Sequence, residues 1–332
     1  MATATTKTLV FIIVLFCFQI TNTKGISDDE ARSKLKKYLP KFYFHSDECW
    51  FPRSLEDMTE INWDSAVPND KDAHIPFTDK GESWRSDAKI YSAYRNLGYS
   101  IEEFTYTLFF PFNGCGGVLS FYIKLFGKKL YDGKYDLCPM GRHYVDKQII
   151  TVWTISGTPY KVQLSQHENY PVYEKSQFNW TGNHVHIYLG LGTHASYPKP
   201  GDTKYKSLFD VKKNKITKMH AALYDRPRDN GRVLYNENKI RLLKNQGVAV
   251  SGLTKAEVLY GFEYLGTMGS TVTNSKSLSS AVNVLNKAAN KLGKVGLKGW
   301  KDKCKNAIDE IEGETTKEGS KALAANKLWK DK

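Results

Sequence analysis

The chain has 332 residues, with 48 Lys and Arg against 35 Asp and Glu, giving a formal net charge of +13 at pH 7. An apolar fraction of 41% beside a charged fraction of 25% is that of an ordinary globular protein and excludes a fibrous or low-complexity chain. The basic excess bears on partners and surfaces, not on fold.

The N-terminal stretch MATATTKTLVFIIVLFCFQITNTKG carries one Lys ahead of an apolar run from Leu9 to Ile20. Thr23 and Gly25 then supply the small-x-small spacing of a cleavage site. The run is short for a bilayer span and has the form of a signal peptide over residues 1–25, so a secreted, extracellular chain starting at Ile26 is expected. In that compartment nucleic acid is not the expected partner of the positive charge; a glycan or an anionic lipid surface is. Cys17 leaves with the signal, and Cys49, Cys115, Cys138 and Cys304 remain for two disulfides with three connectivities. Cys115 and Cys138 bracket a short excursion and are the favoured pair, which leaves Cys49 with Cys304. Without a C-x-x-C, a zinc ribbon is not expected. Asn179 opens the sequon NWT, an expected glycosylation site on an exported chain.

In chain order, the residues after the signal predict a short helix ending near Leu39-Pro40, then a strand KFYFH. The stretch from Trp63 to Asn96, rich in Pro, Gly and Asp, reads as irregular loop. From Ile101 to about Tyr205 the apolar period shortens to two. EFTYTLFF, VLSFYIKLF, KQIITVWTI, YKVQLSQH and HVHIYLGL are β-branched and aromatic, divided by Gly, Pro and Asn turns. No helical pattern separates them, which disfavours a doubly wound parallel sheet. The fold class predicted is mainly β: an antiparallel β-sandwich-like domain with peripheral helices over residues 26–268. Residues 269–332 are predicted to form a basic, amphipathic helical tail. Leu278, Val282, Leu285, Ala289 and Leu292 recur there at helical spacing, followed by Trp300, Cys304, Ile308 and Ile311. Between Lys276 and Lys305 there are eight lysines against the single acid Asp302. Such a helix either lies on an anionic interface or docks on the sandwich, and periodicity leaves both open.

Several polar groups gather at strand ends. GRHYVDKQIITVW puts His143 and Asp146 at a strand mouth with Gln148 two residues on. A His, a carboxylate and a neutral oxygen could hold a hard cation, but one carboxylate is a weak set and Lys147 adds repulsion. A turn with one ion pair is the plainer reading. In HVHIYLG the period-two rule puts His184, His186 and Tyr188 on one face and Val185, Ile187 and Leu189 on the other. With His194 these histidines could share a metal, although a hydrogen-bonded polar face is the plainer reading. His167 lies at another strand end, and Tyr197 follows His194 in GTHASYP. No G-x-S-x-G elbow, H-E-x-x-H, P-loop or dinucleotide fingerprint is present.

The segments KFYFHSDECWFPRSLEDM, YTLFFPFNG, GRHYVDKQIITVW, VQLSQHENYPVYE and LGTHASYPKPG resemble, in this order, the vacuolar protein sorting-associated protein 62 family. Its middle segments are similar to the necrosis- and ethylene-inducing-peptide-like cytolysins. The resemblance runs from about Pro40 to Gly266 and leaves the basic tail outside. In those cytolysins a His, an Asp and a Glu surround a divalent cation near a sugar-headgroup site. His143 and Asp146 match that pattern, whereas Lys147 stands in place of a tryptophan and Gln148 in place of the glutamate.

Losing that charge implies at most a weak Ca²⁺ or Mg²⁺ site at His143, Asp146 and Gln148, with no cofactor required. The resemblance also implies binding rather than catalysis, because no enzymatic reaction is well established for the family. No catalytic residues are therefore assigned. The expected function is a secreted, toxin-like or effector glycoprotein that recognises a glycan or lipid headgroup at a membrane surface. Its expected pocket comprises His143, Asp146, Gln148, His167, His186, His194 and Tyr197. The alternative is a structural, matrix or storage secretory protein, and a glycan or ester hydrolase is the less favoured third.

Overall fold

The architecture is taken from a computed structural model of the chain. The description covers residues 25–59, 88–113, 117–126, 128–136, 143–167, 169–212, 218–258, 276–294, 299 and 301–308. The expected signal segment up to residue 24 and the favoured pair Cys115 and Cys138 lie outside those residues, as does the side chain of His143.

The fold is mainly β. It is built from three sheets and a few helices. The first helix, α1 (Asp28–Lys37), starts where the Ser27 hydroxyl accepts the Glu30 N–H at 3.2 Å. Acids fill its first turn and lysines its last, as the helix dipole favours. Ala31 and Leu35 are its buried positions.

A seven-stranded sheet carries β16 (Val248–Ala249), β15 (Ile240–Asn245), β2 (Ile90–Gly98), β3 (Ile101–Asn113), β6 (His143–Ile155), β7 (Thr158–Leu164) and β8 (Val172–Glu174), in that order. Alternation turns Phe104, Tyr106, Leu108 and Phe110 of β3 inward, with Ile150 and Val152 of β6 beside them. A smaller sheet faces this one. Its members are β11 (Ser196–Tyr197), β10 (His184–Leu189), β1 (Lys41–Tyr43) and β14 (Val233–Leu234), with β9 (Trp180–Thr181) paired to β10. Val185, Ile187 and Leu189 of β10 enter the shared core with Phe42, so the expected split of the β10 faces is the observed one.

The third sheet orders β12 (Thr203–Lys212), β13 (Lys218–Asp225), β4 (Val118–Leu125) and β5 (Lys128–Asp136), all antiparallel. Leu119, Phe121 and Ile123 of β4 and Met219, Ala221 and Leu223 of β13 form a second core. Its cover is α4 (Lys276–Lys294), through Leu285, Ala288, Ala289 and Leu292, with Cys304, Ala307 and Ile308 from helical residues 301–308. Among the described residues the apolar stripe of the tail is thus core. Two short helices, α2 (Leu55–Thr59) and α3 (Lys255–Val258), meet beside β2 and β15.

Three expectations need correction. Ile90–Gly98 is a central strand, not loop; its buried Ile90, Tyr91 and Tyr94 serve both faces of the sheet, so no clean alternation signals it. Two pairings, β1 with β10 and β2 with β15, are parallel. Finally, Cys49 and Cys304 form no disulfide. Cys304 is a free thiol inside the second core, and burial pushes it up to about 12, which makes it unreactive. Cys49 sits, half-buried, on the loop after β1, and its Sγ lies 3.5 Å from the Asp47 carbonyl.

Candidate functional site

The polar groups at the strand ends sort into three places. The first is a closed ionic cluster. Asp146 lies across the ladder from Phe110, and the His194 ring stacks flat on the Phe110 ring, with centroids 3.8 Å apart and planes 8° apart. His194 Nδ1 donates to Asp146 Oδ2 at 3.1 Å, and its Nε2 lies 3.6 Å from Glu48 Oε1, ion-pair range and too long for a hydrogen bond. All three side chains are buried, His194 completely.

Both carboxylates are held by backbone. Glu48 Oε1 accepts the N–H groups of Cys49 and Trp50 at 2.9 and 3.0 Å, and Oε2 accepts that of Gly192 at 2.7 Å. The carboxylate therefore ties the loop after β1 to the loop after β10. Asp146 Oδ1 accepts the Lys147 N–H at 2.8 Å. Gly231 holds the far end of the Glu48 loop: its N–H donates to Phe44 O, and a Cβ there would lie 2.6 Å from His45 O. Only glycine fits that approach. His194 sits at φ 52° and Val145, just before Asp146, at φ 47°. For a β-branched residue that is a costly conformation, and it adjoins the one carboxylate His194 hydrogen-bonds.

Electrostatics fix the protonation. Burial on its own opposes charge on His194, but Glu48 and the hydrogen bond to Asp146 outweigh it and lift the imidazole to about 9. Burial likewise acts to raise Glu48, yet the His194 charge and the backbone N–H groups hold it below the usual range. At neutral pH this is an imidazolium between two carboxylates. In this state both ring nitrogens of His194 carry protons, so it offers no lone pair to act as a general base at neutral pH.

Gln148 joins the cluster in an orientation the sequence did not anticipate. Ile149 N–H donates to Ser165 Oγ, and Ser165 Oγ donates to Gln148 Oε1 at 2.6 Å, so the amide nitrogen turns to Asp146 Oδ2 at 3.0 Å. Gln148 presents a donor to Asp146 where a cation site needs an oxygen. Strand alternation puts Lys147 on the opposite face from Asp146 and Gln148, away from the cluster, where burial lowers its pKa. Among the described residues no group of three or more His, Cys, Asp and Glu side chains forms a metal site.

Of the other expected pocket residues, His167, Tyr197 and His186 do not converge on this cluster. His167 Nε2 and the Tyr197 hydroxyl both meet Asp225 Oδ2, at 2.7 and 2.5 Å, and the His167 ring packs 4.0 Å from that of Tyr205. Asp225 is completely buried. It and Glu48 are the two residues that sequence reasoning missed. Glu48 falls within the quoted SDECWFP segment, but a single loop carboxylate has no spacing to mark it; Asp225 has no local signal at all.

His186 faces outward on the five-stranded sheet. Register places His186 beside Lys41 and Tyr188 beside Tyr43. The Tyr43 ring lies 5.1 Å from both His186 and Tyr188. Thr181 Oγ1 and His186 Nε2 are 2.8 Å apart, and Lys41 Nζ lies 4.9 Å above the Tyr235 ring. Asn179, exposed, donates to the Tyr188 hydroxyl at 3.0 Å and accepts from Lys199 Nζ at 2.5 Å. Burial, then Lys41 and Lys199, lower the His186 pKa, so this histidine is neutral at pH 7.

No family model matches the chain, and neither does any curated protein or solved structure.

Proposed function

We propose that the protein is a secreted, non-enzymatic binding protein that recognises a glycan or lipid headgroup at a membrane surface, through the outer face of β1 and β10. The observation that carries this reading is the half-exposed pair Tyr43 and His186, with Tyr43 stacked on the buried Tyr188 and with Lys41 and Lys199 at the margins. Aromatic faces offer rigid apolar area to a sugar ring, and the hydroxyl and imidazole edges offer donors and acceptors at little entropic cost. In this reading the ionic cluster is not the binding pocket. It is the clamp that holds the loops flanking β1 and β10, and so sets the geometry of the face.

The order of the segments that resemble the vacuolar protein sorting-associated protein 62 family supports a surface-binding role, and membership of that family is part of the proposal. So is an N-glycan at Asn179. A hydrolase is disfavoured, because the histidine it would employ is held protonated between two acids. The test is a glycan and headgroup array probed with full-length protein and with Tyr43→Ala and His186→Ala. The expected result is a defined ligand class whose binding falls about tenfold or more in both variants, the range for losing an aromatic anchor. Binding that survives Tyr43→Ala unchanged would move the site elsewhere.

A further inference from the structure

The four-stranded sheet turns one face to α4 and the other outward, and its outer face carries a line of lysines. Lys218 of β13 is directly opposite Lys124 of β4, and Lys124 is opposite Lys129 of β5. Lys212 of β12 occupies the register position next to Lys218. Because Ile123, Leu125 and Met219 enter the second core, Lys124 and Lys218 point the other way. The next row has the same facing: the Tyr122 and His220 rings stack outside the core, with centroids 5.2 Å apart. Like charges directly opposite on a sheet destabilise it, so folding does not favour this row. Lys129 has Asp132 as an exposed partner, worth little. Lys124 and Lys218 have no carboxylate partner among the described residues.

Two residues beyond Lys124, the chain turns from β4 into β5 through Phe126. This ring is 82% exposed and its backbone sits at φ 52°, an unfavourable conformation for an aromatic residue. Lys124 precedes it, and Lys128 and Lys129 follow it. An exposed aromatic in the midst of repelling lysines serves neither the core nor the sheet.

We propose that this end of the sheet docks the protein on an anionic lipid bilayer, the lysines meeting acidic headgroups while Phe126 enters the headgroup–acyl boundary. The charge row selects an anionic partner, and Phe126 selects a bilayer over a soluble polyanion, which offers an apolar ring nothing to enter. The inference extends the membrane-surface reading above, yet it rests on residues of a different sheet.

The experiment is co-sedimentation of the full chain with vesicles of phosphatidylcholine alone and with about one third phosphatidylserine, at low and high salt. Binding is expected only to the anionic vesicles and is expected to weaken with salt. Lys124→Gln and Lys218→Gln should each lower partitioning about fivefold. Phe126→Ser should lower it about tenfold while leaving binding to soluble heparin unchanged. Thermal melting of each variant separates lost docking from lost fold, since removing a charge from the row should hold or raise the midpoint. Wild-type binding of anionic vesicles by the variant combining Lys124→Gln, Lys218→Gln and Phe126→Ser would overturn the proposal and assign the attraction to the exposed lysines of α4. Equal binding of wild type and Phe126→Ser to vesicles would overturn it in favour of a soluble polyanion. The glycan array with Tyr43→Ala reads the other face, so either surface can fail without the other.

Discussion

The core between the seven- and five-stranded sheets ends at Glu48, Asp146 and His194, buried charges whose two carboxylates are tied to backbone N–H groups. The core beneath the four-stranded sheet contains Leu, Phe, Ile, Met, Ala and one Cys, and the charge of that unit lies on its outer face. Buried charge fixes two loops in one geometry and is unavailable to a partner. Half-exposed charge without a carboxylate partner among the described residues, as at Lys124 and Lys218, does nothing for the fold and remains available. Opposite placements of the same kind of group thus divide the molecule into a part that holds shape and a part that meets other surfaces.

The sharpest way to break this contrast is His194→Leu. It leaves two buried carboxylates facing each other without a cation, and the expected loss is about 3–5 kcal/mol in urea denaturation. A cost below about 1 kcal/mol would mean that water reaches the cluster. Next, Leu285→Ala or Leu292→Ala should cost about 2–5 kcal/mol if α4 is an integral wall of the second core. A free tail would show almost no change in the same measurement.

The third prediction concerns pH. His194 is raised above its unfolded value of 6.5 to about 9, so its contribution is complete below pH 6.5 and is lost as pH rises through 9. A stability loss of about 3 kcal/mol across that window is expected, and it should be absent in His194→Leu. Glu48 is shifted the other way, so its contribution is present above 4.5 and fades as pH falls through its lower folded value. Stability should therefore be greatest between these limits. The smallest effect is on the outer sheet: Lys124→Gln should stabilise by about 0.2–1 kcal/mol by relieving repulsion from Lys218 and Lys129. Destabilisation instead would mean that the lysine stem packs on the sheet.

Much of the first core was legible because its strands alternate cleanly, as EFTYTLFF and HVHIYL do. The third sheet was only partly so. VLSFYIKLF announces β4, but in KKLYDGKYD and TKYKSLFDVK lysines occupy so many positions that the period is hidden. The helical stripe of the tail was visible, although period identifies the face and never the surface that covers it. The grouping of Asp146, Gln148 and His194 came from resemblance to known segments, while its charge balance did not, because Glu48 reaches the cluster from a loop with no pattern of its own. Gln148 was read as an oxygen donor, and only the Ser165 hydroxyl, seventeen residues away, decides which end of the amide meets Asp146.

The two parallel pairings carry a consequence for how the chain must be made. β1 aligns with β10, and the Glu48 carboxylate closes on Gly192 across a separation of 144 residues. β2 aligns with β15, where Ser92 reaches the Arg241 carbonyl across 149. Neither N-terminal strand can find its parallel neighbour until most of the polypeptide has left the ribosome, although β2 can pair early with β3. Contacts of such range slow folding and leave apolar strands such as EFTYTLFF uncovered meanwhile. Loop closure through Glu48 and His194 is then a late event, and a chain arrested before Gly192 would be an aggregation-prone intermediate rather than a smaller folded unit.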